Sequence, residues 1–274
     1  MEWIVLLSIG LAAGTIGSLI GLGGGVIIVP ALLFFSTYTG YLQTISPQVA
    51  VGTSLVIMIF TGLSSTLAYL KHKMVDYKSG LIFFLGSGPG GIVGAWINQT
   101  LDMRTFNIFF GAFMIFVSLL LLVNHKLKPM PLKAENGIHR TFIDNEGRTW
   151  EYGFQPVIAI FIAFIVGLSS GLFGIGGGSL MVPAMLLLFL FPPHVAVATS
   201  MFMIFLSSIV SSTTHISLGH INWQYAFLLI PGAWFGAKLG AFINMKLASK
   251  TVVHILRLIL ILVGFRLIYQ GFTG

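Results

Sequence analysis

The chain has 274 residues, of which 56% are hydrophobic and only 8% charged, with a mean hydropathy of +0.98. Soluble domains carry roughly a quarter charged residues, so this composition excludes a water-soluble globular protein and points to a lipid bilayer. The absence of cysteine excludes disulfides, thiolate metal sites and cysteine nucleophiles, and the net charge of +7 reports loops rather than a nucleic-acid-binding face.

Eight hydrophobic segments follow in chain order. The first covers roughly 3–36, and Met1-Glu2-Trp3-Ile4 runs straight into it without the basic region of a cleavable leader. It exceeds the about 20 residues that a helix needs to cross a bilayer. Gly21-Leu22-Gly23-Gly24-Gly25-Val26-Ile27-Ile28-Val29-Pro30-Ala31 interrupts it. Segments at roughly 46–70, 79–98 and 104–124 complete a first set of four. A polar insert at 125–153 comes next, opening with His125-Lys126-Leu127-Lys128-Pro129, where charge and proline stop a helix. Within it, Arg140-Thr141-Phe142-Ile143-Asp144 and Arg148-Thr149-Trp150-Glu151-Tyr152 flank Asn145-Glu146-Gly147, a pattern that predicts a β-hairpin. That hairpin reads better as an ordered linker fixing how the halves meet than as a partner-binding element. The second set covers roughly 154–191, 195–216, 222–244 and 250–270, and its first member is again broken, by Gly174-Ile175-Gly176-Gly177-Gly178-Ser179-Leu180-Met181-Val182-Pro183-Ala184.

The two glycine strings stand 153 positions apart. Pro47-Gln48-Val49-Ala50-Val51-Gly52-Thr53-Ser54-Leu55 matches Pro193-His194-Val195-Ala196-Val197-Ala198-Thr199-Ser200-Met201 at an offset of 146, which also aligns Gly90 with Gly236 and Gly94 with Gly240. The chain is therefore duplicated, with repeats at 1–124 and 154–274 around the insert. Solenoids stack at least three short units, so two long copies fit a two-bundle membrane fold instead. The fold class expected is an all-α polytopic membrane protein with two pseudo-symmetric four-segment repeats, the first segment of each broken at a GxGGG.

Lys71, Lys73 and Lys78 follow the second segment, and Lys126, Lys128, Lys133, Arg140 and Arg148 lie in the insert, so both regions are expected on the cytoplasmic side of the cell membrane. If the broken segments cross the bilayer, the repeats are parallel and Lys246 and Lys250 lie outside. If they are re-entrant hairpins, the repeats are inverted and both lysines move inside, which the charge bias favours.

A duplicated break in membrane-length segments is the best sequence pointer to a transporter's binding site. Consecutive glycines cost about 1 kcal/mol each in a helix relative to alanine, and irregular backbone at membrane depth survives only where protein or a water-filled cavity satisfies it. Gly23, Gly24 and Gly25, like Gly176, Gly177 and Gly178, then open a half-helix whose free N–H groups and positive dipole end suit an anion. The alternative is close helix packing through small residues, as at Gly14-x-x-x-Ser18 and Gly167-x-x-x-Gly171. P-loop and dinucleotide readings fail, because no Gly-Lys-Ser/Thr follows and Val26 and Ser179 stand where a third glycine is needed.

All seven acidic residues fall at segment ends or in the insert, which argues against a cation substrate. Lys250, His254 and Arg257 share a face of the last segment, with Arg257 about two turns in; Arg257 is a candidate attractor, and Lys250 reads as snorkelling to the headgroups. The hydroxyls of Thr53, Ser54, Thr199 and Ser200 are candidates to hold an anion's oxygens, or caps and back-bonds within their helices. Gln48 and His194 are equivalent positions of an only pseudo-symmetric site. No catalytic, metal or cofactor constellation is expected.

These glycine strings with Val29-Pro30, their second copy, and Ala50-Val51-Gly52-Thr53-Ser54-Leu55 resemble the sulfite exporter TauE/SafE family, also described as toluene-sulfonate uptake permeases. The resemblance covers both repeats and leaves out the insert. It implies a bacterial inner-membrane carrier of small sulfur-containing anions, and it places Gly23 to Gly25, Thr53, Ser54, Gly176 to Gly178, Thr199 and Ser200 on motif positions. Ala198 departs from the pattern where the first copy has Gly52. The reading is a secondary transporter, an exporter or permease of sulfite or organosulfonates working by alternating access, with a small anion and the bilayer as partners, no nucleic acid, and a homodimer compatible. The alternative is a non-transporting membrane scaffold or assembly factor whose insert binds a partner.

Overall fold

The structure, a computed structural model, describes residues 2–38, 45–122, 137–143, 147–247 and 249–273. Both expected breaks are present. The first segment forms α1 (Glu2–Ile20) and α2 (Gly25–Tyr38), and its counterpart forms α6 (Pro156–Phe173) and α7 (Gly178–Leu187). The first repeat continues with α3 (Pro47–Leu70), α4 (Tyr77–Asn98) and α5 (Met103–Leu122), and the second with α8 (Pro193–Ser217), α9 (Trp223–Lys246) and α10 (Ser249–Thr273). Six helices, α1, α3, α4, α6, α8 and α9, are long and apolar enough to cross a membrane. This is an all-α polytopic membrane protein with one small sheet among the described residues.

That sheet is the insert, β1 (Ile138–Ile143) paired antiparallel with β2 (Thr149–Phe154). Residues 125–129 and 144–146, where the sequence suggests a helix stop and the hairpin turn, lie outside the described residues. The hairpin is anchored to the helices. Phe83 of α4 sits 4.9 Å from Phe154 and 5.9 Å from Phe189, and Tyr152 sits 4.2 Å from Phe191 (ring centroids). Its backbone joins as well, with Gly153 N–H donating to the Phe189 carbonyl at 3.0 Å. The Tyr152 hydroxyl donates to Asp76 Oδ2 at 3.1 Å, and Arg140 Nε stands 3.8 Å from the same oxygen. The hairpin therefore sits over the α3–α4 turn.

Helix directions follow from contacts. Gly232, Gly236 and Gly240 of α9 lie against the carbonyls of Leu7, Leu11 and Thr15 of α1, so the two helices run parallel. The Asn222 N–H donates to Thr53 and the Ser64 hydroxyl to the Trp234 carbonyl, so α9 also runs parallel to α3. Glu2 thus lies at the end where α3 begins, and the chain leaving α2 must reach Ser46, the N-cap of α3, at that same end. In the second half, Gly86, Gly90 and Gly94 of α4 lie against the Ile160, Phe164 and Leu168 carbonyls of α6, and the Asp76 N–H donates to Thr199 of α8. Both α6 and α8 begin at the end of the α3–α4 turn. Meanwhile Gly62 of α3 packs on Phe205 while the turns after α3 and α8 meet Thr199 and Thr53, so α3 and α8 are antiparallel.

The broken segments are therefore hairpins that leave by the end they entered, and the repeats are inverted, as the lysine and arginine bias favours. Lys246 at the C-terminus of α9 comes level with the α3–α4 turn that carries Lys71 and Lys73. The repeats are also interlocked. Each hairpin packs most extensively on the other repeat, α1 on α9 and α6 on α4, while α5 and α10 pair in an outer layer.

Candidate functional site

The two breaks meet between α3 and α8. Gly21 and Gly174 end α1 and α6 with φ of +78° and +67°, a left-handed conformation that glycine adopts without Cβ strain. The chain then folds back so tightly that Gly24 lies against Ala13 and Gly17 of its own α1. This places Gly25, first residue of α2, directly on the Gly174 carbonyl, and Gly178, first residue of α7, directly on the Gly21 carbonyl. Any Cβ at either position collides with backbone. Close packing, the bland reading of these glycines, is thus required of Gly25 and Gly178 whatever else the crossing does.

The start of each half-helix has a second property. The first-turn N–H groups of a helix have no intrahelical acceptors, and its dipole is positive there. Both α2 and α7 open at the crossing, and no acidic residue lies there: Glu2 stands at the far end of α1, and the other six fall in turns or in the insert. The middle of the crossing is filled by Met58 of α3, whose methyl lies against Gly23 and Gly176, and by Ile204 of α8, which touches both. Met58 and Ile204 are equivalent by the offset of 146, so an apolar pair sits on the pseudo-twofold axis. The gap behind the first break, walled by Ile16, Ile20, Leu22, Val26 and Ile27, leaves no room for even one water molecule, and its apolar walls offer an anion nothing.

The four hydroxyls bond between repeats. Ser54 Oγ donates to the Gly174 carbonyl at 2.8 Å, and Ser200 Oγ donates to the Gly21 carbonyl at 2.9 Å. These are one bond made twice. Thr53 Oγ1 accepts from Asn222 N–H at 2.9 Å, and Thr199 Oγ1 accepts from Asp76 N–H at 3.0 Å. Asn222 and Asp76 are themselves the N-caps of α9 and α4. The threonines therefore hold the turns after α8 and α3, and the serines hold the mouths of the breaks.

Three sequence candidates lie away from the crossing. Gln48 Nε2 donates to the Asn98 and Leu101 carbonyls at 3.0 and 2.7 Å, tying the start of α3 to the end of α4. His194 Nδ1 lies 3.0 Å from Asn244 Oδ1, the equivalent position in the second half. Arg257 is half-buried in the outer α5–α10 layer, where its carbonyl accepts from Ser118 at 3.4 Å, and His254 on the same helix is exposed.

Sequence reasoning missed the residues that grip the hairpins from outside. Asn98 Nδ2 donates to the Leu172 carbonyl at 2.7 Å, and Asn244 Nδ2 donates to the Leu19 carbonyl at 2.6 Å. Both asparagines are fully buried, and each holds the last turn before the opposite repeat's break. The signal was available, since 98 and 244 share the offset of 146. Met58 and Ile204 carried no such signal, because a methionine and an isoleucine in apolar helices look like any core pair.

Known proteins bear on this arrangement. The family described as "Sulfite exporter TauE/SafE" matches residues 6–267. A protein of Bacillus subtilis described as "Probable membrane transporter protein YunE" is 59% identical over 271 residues, covering 99% of each chain. A probable membrane transporter protein of Methanocaldococcus jannaschii is 27% identical over 95% of this chain and 93% of its own. An Arabidopsis thaliana protein named as a sulfite exporter TauE/SafE family member is 31% identical over 134 residues, 48% of this chain and 30% of its own. No solved structure matches.

Proposed function

The chain belongs to the sulfite exporter TauE/SafE family and is a multi-pass membrane transporter, and from that premise we propose that it carries a small sulfur-containing anion, such as sulfite or an organosulfonate, by alternating access. The observation that supports the anion is the crossing itself. Two half-helix N-termini open beside each other, at a place without carboxylates, on glycine backbone that only protein contacts or a water-filled cavity sustain. Gly23 to Gly25 and Gly176 to Gly178 supply the N–H groups in this reading, Gly23 by giving up its bond to the Gly17 carbonyl at 3.2 Å, and Ser54 and Ser200 trade their carbonyl acceptors for anion oxygens.

Met58 and Ile204 close the crossing in the conformation seen, so the anion enters by displacing them. Because each hairpin packs on the other repeat, the moving units are hairpin-plus-partner pairs, α1–α2 with α9 and α6–α7 with α4. The membrane is the cell membrane, with the insert on the cytoplasmic side. Lys71, Lys73, Lys78, Arg140, Arg148 and Lys246 at that end support the orientation.

Labelled sulfite flux into proteoliposomes tests the reading. Met58→Ala opens the crossing without adding bulk and is expected to raise flux. Gly23→Leu with Gly176→Leu, checked for folding by its melting midpoint, is expected to abolish it. Unchanged flux in both variants removes the site. A thermal-shift series with sulfite, sulfonates and carboxylates addresses selectivity, because a site-specific ligand stabilises by mass action. Equal stabilisation by acetate and sulfite removes the sulfur-anion assignment.

A further inference from the structure

A pair of histidines links one end of the bundle to the second hairpin. His215, in the last turns of α8, is fully buried, and its Nε2 lies 3.0 Å from the Gly171 carbonyl of α6. A carbonyl only accepts, so Nε2 carries the hydrogen and Nδ1 of the neutral ring is an acceptor. His220 Nδ1 lies 3.3 Å from that Nδ1 and must therefore be the donor. His220 sits in the turn between α8 and α9, only half-buried, and its backbone N–H donates to the His215 carbonyl at 2.9 Å. Its own carbonyl is seated on Gly52 of α3, which fixes the turn. The result is a file running from His220 Nε2 through two Nδ1 atoms to the Gly171 carbonyl.

The first repeat provides an internal control. Tyr69 is the equivalent of His215, and Ser18 of Gly171, and the Tyr69 hydroxyl donates to the Ser18 carbonyl at 3.0 Å. The equivalent of His220 is Met74, whose N–H donates to the Tyr69 carbonyl at 3.3 Å. The same clamp on a hairpin is thus made by a phenol that stays neutral near pH 7. A clamp alone needs no imidazole, and certainly not two in contact.

We propose that His215 and His220 form a proton-binding site that couples a proton to anion movement through the second hairpin; this rests on the anion-carrier reading above. A proton from the aqueous phase bonds to His220 Nε2. The hydrogen on His220 Nδ1 passes to His215 Nδ1, leaving His220 neutral as the Nε2–H tautomer. His215 becomes an imidazolium with both nitrogens protonated, and one proton has been taken up. Gly171 lies in the last turn of α6, where the helix dipole favours a cation. Among the described residues, His220 is the titratable group that touches His215; α6 and α7 carry none, Tyr69, Asp76, Lys78, His194 and Lys246 lie toward the other end of their helices, and Tyr225 of α9 and Asp102 and Arg104 of the α4–α5 turn share its end. The charge that reaches the hairpin is accordingly the proton's own, and it offsets that of a monoanion at the crossing.

The test uses the full chain in liposomes with a trapped pH dye, and labelled sulfite or methanesulfonate as probes. Methanesulfonate stays ionised throughout, so a proton that moves with it has moved on the protein. The wild type is expected to acidify or alkalinise the lumen in step with the anion, and a pH gradient alone to drive accumulation. His215→Tyr restores the first-repeat clamp and is expected to lose proton-driven accumulation while anion–anion exchange persists. Anion flux without proton movement in the wild type, or proton coupling retained in His215→Tyr, overturns the inference and leaves the carrier reading standing. If the wild type moves neither anion, the carrier reading fails, and histidine NMR of the protein in nanodiscs decides the proton site. Joint titration of His215 and His220 between about pH 5 and 8 that His220→Met abolishes supports the site. A His215 ring that stays neutral across that range overturns it.

Discussion

The mouth of the first break and the mouth of the second are held by the same chemistry, whereas the walls of the two hairpins are not. Ser54 on Gly174 and Ser200 on Gly21 are one bond repeated across the pseudo-twofold. One turn further back, Tyr69 on Ser18 and His215 on Gly171 make one geometry with a phenol and an imidazole. The repeated bonds close the mouths of both breaks, and the divergent one is confined to the wall of the second hairpin.

The largest expected effects test whether the crossing is as symmetric as its contacts. Gly25→Val and Gly178→Val each drive a side chain into the opposite hairpin's glycine carbonyl, and overpacking against backbone costs about 3 kcal/mol or more. Both variants are expected to lose most of their thermal stability in detergent. A near-normal melting midpoint for one of them breaks the symmetry and leaves a single working break.

Next come the asparagines. Asn244 donates to Leu19 and also meets His194, whereas Asn98 donates to Leu172 and its own Oδ1 has no partner among the described residues. Removing a buried partner costs about 1–3 kcal/mol, so Asn244→Ala belongs at the upper end and Asn98→Ala at the lower. Equal losses of melting temperature contradict that ranking. Among the serines the order is Ser54→Ala above Ser200→Ala, both near 1 kcal/mol, because Ser200 Oγ divides its hydrogen between Gly21 and its own Val197 carbonyl. Melting midpoints of the two single variants measure the difference.

Much of this frame is legible in the residues. Segment lengths give the helices, and the offsets of 153 and 146 give the pairing of positions. The lysine bias favours hairpins over crossings. What stays hidden is the partner of each polar group. Ser54 lies 120 positions from Gly174, and Asn98 lies 74 from Leu172, so nothing local announces either bond. The threonines illustrate the point. Their spacing suits an anion's oxygens, yet each hydroxyl accepts from the N-cap of a helix in the other repeat, a partner that exists only once the repeats interlock. The insert is the opposite case, because its hairpin is encoded by neighbours in sequence and only its seat on Asp76 and Phe83 is not.

The smallest expected effect separates the two hairpin walls by pH. Partial burial holds the His220 imidazole below the ordinary histidine range, so the folded chain favours its neutral form. A depressed folded pKa contributes stability that is present above the unfolded value of roughly 6.5 and lost as pH falls through the folded one. Melting midpoints are therefore expected to drop modestly on acidification from about pH 6.5, and His220→Met, which copies Met74 of the first repeat, is expected to flatten that limb. The Asp102 carboxyl, held below the usual carboxylate range by the Thr105 side chain, remains in the variant, and its acid loss begins well below pH 6. If His220→Met keeps the same slope there, the second wall does not differ from the first in its response to protons, and the divergence between Tyr69 and His215 is one of shape alone.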